Sequence, residues 1–357
     1  MKKKIAIISL IMVVCLILAS CGQQAAAPEA PAETKPAETK PAETKPAETT
    51  PAAPAASEQW PNQPITLYVG FSAGGSSDLQ ARYVAAALGD ILGTSVVVEN
   101  VPGSAGALCY NKVLTECAKD GYSFCLANMP AMDMGKYDEA NPRSFSVDDF
   151  ELICNHVTDY NVLAIRNDET RFTDLASIVD YSQNNTILIG AAATGITSDD
   201  ATIMQKLGTE LGLKYDIVPT GGSKETETLF IQGNTDILIA NVADVRTAHE
   251  SGQYKVLCVF AEERSDMLPD VPAFAELGFD CDPIVNFSAR GYAFAKGVDS
   301  AIVAKMAEAL EKAINDPKVM EQMTALGAEI DFRGPEDYNA LIEADIASGC
   351  KAFGVQP

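Results

Sequence analysis

The stretch Val69-Gly-Phe-Ser-Ala-Gly-Gly-Ser-Ser-Asp78 sets two adjacent glycines among three serines, with no cation. Residues of these types can hold an anion through backbone N–H groups and small hydroxyls. Gly74 and Gly75 give the chain access to positive φ and let a ligand approach the backbone closely. Ser76 or Ser77 can N-cap a following helix, whose first N–H groups have no partner within the helix. The plain alternative is an ordinary strand-to-helix turn with a capping serine. Three further stretches repeat the composition: Asn100-Val-Pro-Gly-Ser-Ala-Gly106, Ala193-Thr-Gly-Ile-Thr-Ser198 and Pro219-Thr-Gly-Gly-Ser223.

The elements that position these loops follow one grammar. Residues 65–69 read as a short strand, and apolar residues at 79, 83, 84, 87, 88, 91 and 92 recur at helical spacing. Residues 95–99 and 123–127 are strand-like, and a helix from the second loop to about 117 lies between them. The pattern continues with strands at 150–154, 161–165 and 186–190. A helix at 172–181 falls between the last two, its start capped at or beside Thr173, and another follows at 199–211. Strands at 214–218, 235–240 and 255–260 come next, with a helix after the loop at 219–223. Alternating strands and amphipathic helices indicate an α/β protein. Gly/Ser loops at the carboxyl ends of neighbouring strands open into one crevice, where α/β sheets bind ligands. Because the same grammar runs twice, two facing lobes are expected. The C-terminal part reads as helical: Asp299 or Ser300 caps one helix, Asp316-Pro317 starts a second that Gly327 ends, and Gly334-Pro335 introduces a third.

The ends carry an address. Met1-Lys-Lys-Lys4, an apolar run to Leu18, and Leu18-Ala-Ser-Cys21 form an export signal resembling a bacterial lipobox, with Cys21 as the lipidated residue. Residues 21–57 hold Pro-Ala-Glu-Thr-Lys repeats, which form no core and read as an extended tether reaching on the order of 100 Å. The net charge of −23 becomes −26 once Lys2, Lys3 and Lys4 are removed. That balance argues against nucleic acid and against electrostatic docking on anionic lipid, so membrane contact is expected through the lipid anchor only. It also requires any attraction for an anion to be local.

Of nine cysteines, seven remain beyond the signal and Cys21, with no C-x-x-C; which of them pair, if any, stays open. With two isolated histidines, no metal site and no cofactor are expected. An enzyme is the first rival reading, but no Ser/His/Asp set, no G-x-S-x-G elbow and no phosphate-loop motif occurs.

The quoted stretches resemble the substrate-binding proteins of the tripartite tricarboxylate transporters, of TctC or Bug type. Pro61-Asn-Gln-Pro-Ile-Thr-Leu67 and Phe71-Ser-Ala-Gly-Gly-Ser-Ser-Asp78 match that family's opening. Val96-Val-Val-Glu-Asn-Val-Pro-Gly-Ser-Ala-Gly106, Asp120-Gly-Tyr122, Val218-Pro-Thr-Gly-Gly222 and Leu268-Pro-Asp-Val-Pro272 follow in order, then Asp316-Pro-Lys-Val319 and Leu326-Gly327. The resemblance runs from about residue 61 to residue 338.

The resemblance implies a two-lobed α/β fold like that of type II periplasmic binding proteins, with 58–160 plus 285–357 as one lobe and 161–284 as the other. It implies a non-enzymatic binding protein that captures a small carboxylate between closing lobes. Delivery would be to the large and small membrane subunits of a tripartite transporter. The body would stand at the outer face of the cytoplasmic membrane, or face the periplasm in a Gram-negative host. The ligand-holding positions it implies are Phe71, Ser72, Ala73, Gly74, Gly75, Ser76, Ser77 and Asp78 on one lobe. On the other they are Thr194, Gly195, Thr197, Ser198, Asn241, Val242 and Asp244. Arg290 departs from the family pattern, which often has an aromatic there; it either reaches a distal carboxylate or forms a salt bridge. The rival with the same ligand is a sensor that presents it to a membrane receptor.

Overall fold

The computed structural model describes residues 60–139, 141–191, 195–220 and 223–357; the export signal, Cys21, the tether and Thr194 lie outside the described residues. In chain order the elements begin β1 (Ile65–Val69), α1 (Ser76–Leu92), β2 (Val96–Asn100), α2 (Ala107–Thr115), β3 (Ser123–Met129) and β4 (Phe150–Arg166). Next come α3 (Leu175–Ser182), β5 (Ile187–Ala191), α4 (Asp199–Leu211), β6 (Tyr215–Pro219), α5 (Ser223–Ile231), β7 (Leu238–Asn241), α6 (Val242–Glu250) and β8 (Tyr254–Val259). The chain ends with β9 (Phe287–Ala295), α7 (Ser300–Ile314), α8 (Pro317–Ala325), β10 (Ile330–Arg333) and α9 (Pro335–Phe353).

Side-chain alternation along the strands builds a core on each face of the first sheet, whose order is β10-β4-β9-β3-β1-β2. Ile65, Leu67 and Val69 of β1 face α1 and α7, packing with Val84, Leu88, Met306 and Leu310. Tyr68 of the same strand faces the other way, into a core with Tyr110 of α2 and Tyr338 of α9. The second half of β4 does the same for a second body. Leu163 and Ile165 pack with Phe172, Ile178 and Leu207, whereas Val162 and Ala164 pack with Phe230 and Val245.

Sequence reading placed two strands at 150–154 and 161–165; the structure has one 17-residue strand, β4. The intervening Asn155, His156, Thr158 and Asp159 look like a polar break, yet all are buried. They stay in the strand because other elements supply partners. The Thr158 hydroxyl donates to Asp331 at 2.6 Å, and the Asn155 amide donates to the Asp331 carbonyl at 2.9 Å. β9 and β10 went unread as strands for a related reason: both pair antiparallel with β4, and their sequences are short or interrupted by Gly291 and charged residues. α3 is capped by Asp174, which accepts from Ser177 N, rather than by Thr173. Asp299 and Asp316 cap α7 and α8 as expected, with Pro317 opening the latter.

β4 is where the two bodies join. Up to Tyr160 it pairs with β9, and from Asn161 it pairs with β7 and β8. The returning chain passes beside it at Asn286. Asn161 N–H donates to the Asn286 carbonyl at 2.9 Å, and Phe260 N–H donates to the Asn161 carbonyl at 2.8 Å. The Asn286 side-chain amide donates to Asn161 Oδ1 at 2.7 Å and to the Asp199 carbonyl at 3.0 Å. Lys206 Nζ closes the set, donating to Asn286 Oδ1 and to the Val285 carbonyl, both at 2.8 Å. Asn161 and Asn286 are almost fully buried, so each amide lost leaves a partner without water to replace it. Asn286→Ala removes one of the two acceptors of the Lys206 ammonium and the donor to Asn161 Oδ1, and is expected to cost about 3 kcal/mol, read as a lowered midpoint in urea unfolding.

Candidate functional site

Between the two bodies lies a cavity of about 550 Å³. One wall is built by the ends of β1 and β3, the loop after β2, the start of α1 and part of β9. The other is built by β7 and the starts of α4, α5 and α6. Four helices therefore open onto one space with their N-terminal turns, where free N–H groups and the helix dipole favour negative charge.

On the first wall, Phe71, Ser72, Ser76 and Ser77 line the cavity. Sequence reading made Ser76 or Ser77 the cap of α1. The cap position is instead Gly75, with no side-chain capping bond, so both hydroxyls remain for a ligand. Ala73, Gly74 and Gly75 are exposed and do not line the cavity. Gly74 has φ +82 and needs glycine for its backbone alone, and a Cβ on Gly75 would meet only Ser72 O at 3.4 Å. The glycine that close packing demands is Gly70, where a Cβ would fall 2.7 Å from Gly106 Cα. That approach holds the loop after β1 against the loop after β2, which contributes Pro102, Gly103 and Ala105 to the lining.

Asp78 is also absent from the lining, because its oxygens are already used. They accept from Gly74 N at 2.8 Å, Asn100 Nδ2 at 2.9 Å and Arg82 Nε at 3.0 Å. Asn100 Nδ2 donates in addition to the Phe71 carbonyl at 3.0 Å. Burial opposes ionisation, but the Arg82, Gly74 and Asn100 bonds prevail and hold the carboxyl below its usual range. Asp78 thus shapes the loop from behind.

On the second wall, Thr197, Ser198, Asn241 and Asp244 line the cavity. Ser198 caps α4 by accepting from Ala201 N. Asn241 Nδ2 donates to the Asp159 carbonyl at 2.9 Å and to Asp199 Oδ2 at 3.3 Å. Gly195 and Val242 do not line it: Gly195 closes a turn by accepting from Ser198 N, and Val242 is fully buried in the core beneath α6. Arg290 lies in the lining, 6% exposed, with Nη1 at 3.4 Å from Asp159 Oδ2 and Nε without an acceptor. The salt bridge weighed from sequence is present, though long, and the side chain also faces the cavity.

Sequence reasoning missed Asn128 and Ser288, which line the cavity from strands, and the acids Asp199, Asp200 and Glu227. The acids carried a usable signal, since each follows within a few residues of a flagged loop. Asn128 and Ser288 carried none, because β9 went unread and Asn128 falls one residue past the 123–127 strand. The carboxyl groups act on one another. Burial pushes Asp159 up to about 7, with Arg290 opposing and Asp244 adding to it. Asp200 is raised well above the usual range by burial, then by Asp199 and Asp244. Burial raises Asp244 as well, against Arg290 and a bond with the Ser223 hydroxyl.

Asp78→Ala removes the acceptor of three donors and is expected to cost about 3 kcal/mol, and to weaken solute binding although the residue faces away from the cavity; urea unfolding and calorimetric titration read the two effects. A carboxyl raised on folding is protonated in the folded chain before the unfolded one, so its contribution is present at low pH and declines as pH rises. For Asp159 the decline runs from about 3.8 to about 7. Asp159→Asn is expected to flatten the fall in melting temperature over that window, measured by differential scanning calorimetry.

Residues 80–351 match the family described as tripartite tricarboxylate transporter family receptor. A Cupriavidus necator protein described as "UPF0065 protein in gbd 5'region" is 27% identical over 286 residues, 80% of this chain and 85% of that one. Among solved structures, the periplasmic binding protein BugD superposes with a TM-score of 0.67 at 25% identity, over 83% of this chain and 98% of that one. MatC from Rhodopseudomonas palustris, solved with bound malate, gives a TM-score of 0.70 at 22% identity over 82% and 99% of the two chains, a likeness of fold. The fold is the two-lobed α/β architecture of these periplasmic binding proteins, and the chain belongs to the tripartite tricarboxylate transporter receptor family.

Proposed function

We propose that the chain is an extracytoplasmic solute-binding protein that captures a small carboxylate-bearing solute in the cavity between its lobes and delivers it to the membrane subunits of a tripartite tricarboxylate-type transporter. In this reading residues 1–20 direct export, Cys21 carries the lipid and residues 21–57 are the tether. The lobes are 58–160 with 285–357, and 161–284. The division follows the junction at Asn161 and Asn286, where β4 exchanges one set of partners for the other.

The observation that carries the reading is the convergence of the N-terminal turns of α1, α4, α5 and α6 on one cavity between the lobes. Ser76, Ser77, Thr197 and Asn128 add neutral donors there. Neutral donors in a closing cleft hold a carboxylate by charge-assisted bonds without a long-range field. The negative charge of the whole chain is therefore compatible with an anionic group in the site. MatC, a protein of the same fold, was solved with malate, a dicarboxylate. Lobe closure would follow from contacts made better in the closed state.

Purified full-length protein is expected to gain about 2.7 kcal/mol of stability from a carboxylate present at 100 times its Kd, read as a thermal shift across mono-, di- and tricarboxylates and amino acids. A shift with neutral sugars and none with any carboxylate-bearing compound would exclude the reading. Ser77→Ala is expected to weaken the best carboxylate about tenfold, the worth of one hydrogen bond to a charged group, with the unfolding midpoint little changed.

A further inference from the structure

Away from the cavity lining, α4 of the second lobe meets α9 of the first. Gln205 Nε2 donates to the Ala352 carbonyl at 3.2 Å, and Lys351 Nζ meets Glu210 Oε1 at 3.1 Å. Three ionisable groups that do not line the cavity are buried in this part of the molecule: Asp133, Asp345 and Lys206, 1%, 8% and 7% exposed. Asp133 caps the short helical turn Met134–Tyr137, which directly follows the cavity residues Pro130 and Ala131. Asp345 is on the buried side of α9 and Lys206 on that of α4.

The carboxyls of Asp133 and Asp345 hydrogen-bond each other. Each nevertheless keeps a buried Oδ2 that no donor reaches among the described residues. Ionised carboxylates are acceptors only, so a direct bond between two of them requires a proton. Asp133 Oδ1 is engaged elsewhere, accepting from Met134 N at 2.8 Å. Lys206 acts on Asp345 from α4, and Asp199 of the same helix opposes it. Two of the three ammonium donors of Lys206 go to the Val285 carbonyl and Asn286 Oδ1, which leaves one for Asp345. Tyr338 and Cys350 of α9 face Asp133, and burial keeps both neutral. The other cations near the turn are directed elsewhere: Lys136 to Asp148 at 3.8 Å, and Arg143, packed against Gly135, toward Tyr110 and Asp138.

We infer that Asp133 and Asp345 share one proton, and that this bond, completed by the Lys206 ammonium, is a pH-dependent latch between α9 of the first lobe and α4 of the second. With the proton in place, one negative and one positive charge face each other across the seam. Without it, two buried carboxylates oppose one another and only one has a counter-charge, an arrangement that favours letting water in. The strain falls on the seam between lobes, because Lys206 also holds the crossing at Asn286. Burial raises both carboxyls above the usual range. A group raised on folding contributes fully at low pH, and its contribution declines as pH rises. For Asp345 the decline runs from about 3.8 to about 6, and Asp133 extends it upward.

The test uses the full chain without solute and two measurements. Infrared difference spectra of the unaltered chain against Asp133→Asn are expected to show a protonated-carboxyl band in slightly acidic buffer that the variant lacks. Hydrogen exchange of the α9 amides, corrected for the intrinsic rate, is expected to quicken at least about tenfold between pH about 4 and about 8. Asp133→Asn keeps the acceptor for Met134 N and supplies an N–H where the proton stood, so its α9 exchange is expected to stay level over that range. Asp133→Ala supplies neither and is expected to exchange fast at both ends. Three results would each overturn the inference: no carboxyl band lost in Asp133→Asn, α9 exchange in the unaltered chain that does not change with pH, or exchange that quickens as much in Asp133→Asn as without it. Should the variants fail to fold, the pH dependence of α9 exchange in the unaltered chain still decides.

Discussion

The amide-to-amide contact between Asn161 and Asn286 is the constraint on which the two-lobed architecture rests. Two passages of chain run side by side there, and neither belongs wholly to one lobe. A buried asparagine must satisfy both ends of its side chain, which makes the contact directional in a way that apolar packing is not. Asn286 uses its amide for Asn161 and the Asp199 backbone, and its carbonyl oxygen for Lys206. The start of α4, which lines the cavity, is thus registered to the junction. A shift at the crossing reaches the binding wall through bonds shorter than 3.3 Å.

Electrostatics in this chain works at two ranges that pull in opposite directions. The overall charge of −23 repels anions at distance, within the screening length of the medium. At contact range, four helix N-termini, serine hydroxyls and Arg290 favour a carboxylate. The acids of the second lobe tip the balance back, and they do so on one wall only. Asp199, Asp200 and Asp244 stand in the first turns of α4 and α6, on the wall that carries three of the four helix N-termini, so acids and helix dipoles offset each other there.

Much of the body was legible because periodicity and punctuation agree locally. The strand, Gly/Ser loop and helix at residues 65–92 formed as read, as did α7 and α8 with their aspartate caps. What failed is long-range. β4 was read as two pieces because Asn155, His156, Thr158 and Asp159 are polar, and partners far along the chain make them acceptable inside a strand. The candidate loop borders the cavity, and its residues divide between those that line it and those that brace the loop. Asp78 reads as a ligand contact from position and proves to be occupied by Gly74, Arg82 and Asn100. Gly75 reads as a point where a ligand meets the backbone; the close backbone contact that the structure holds is one between loops, at Gly70, five residues earlier. Spacing says which residues share a loop; it does not say which face the ligand and which brace the loop.

The continuity of β4 bears on the speed of the protein's working cycle. A strand hydrogen-bonded along both halves has little slack, so the closure proposed above would twist a sheet and not order a floppy linker. Little conformational entropy is then lost on capture, and affinity comes from the contacts themselves. The same stiffness slows the return journey. A solute held by a stiff, closely matched cleft leaves at a rate set by those contacts.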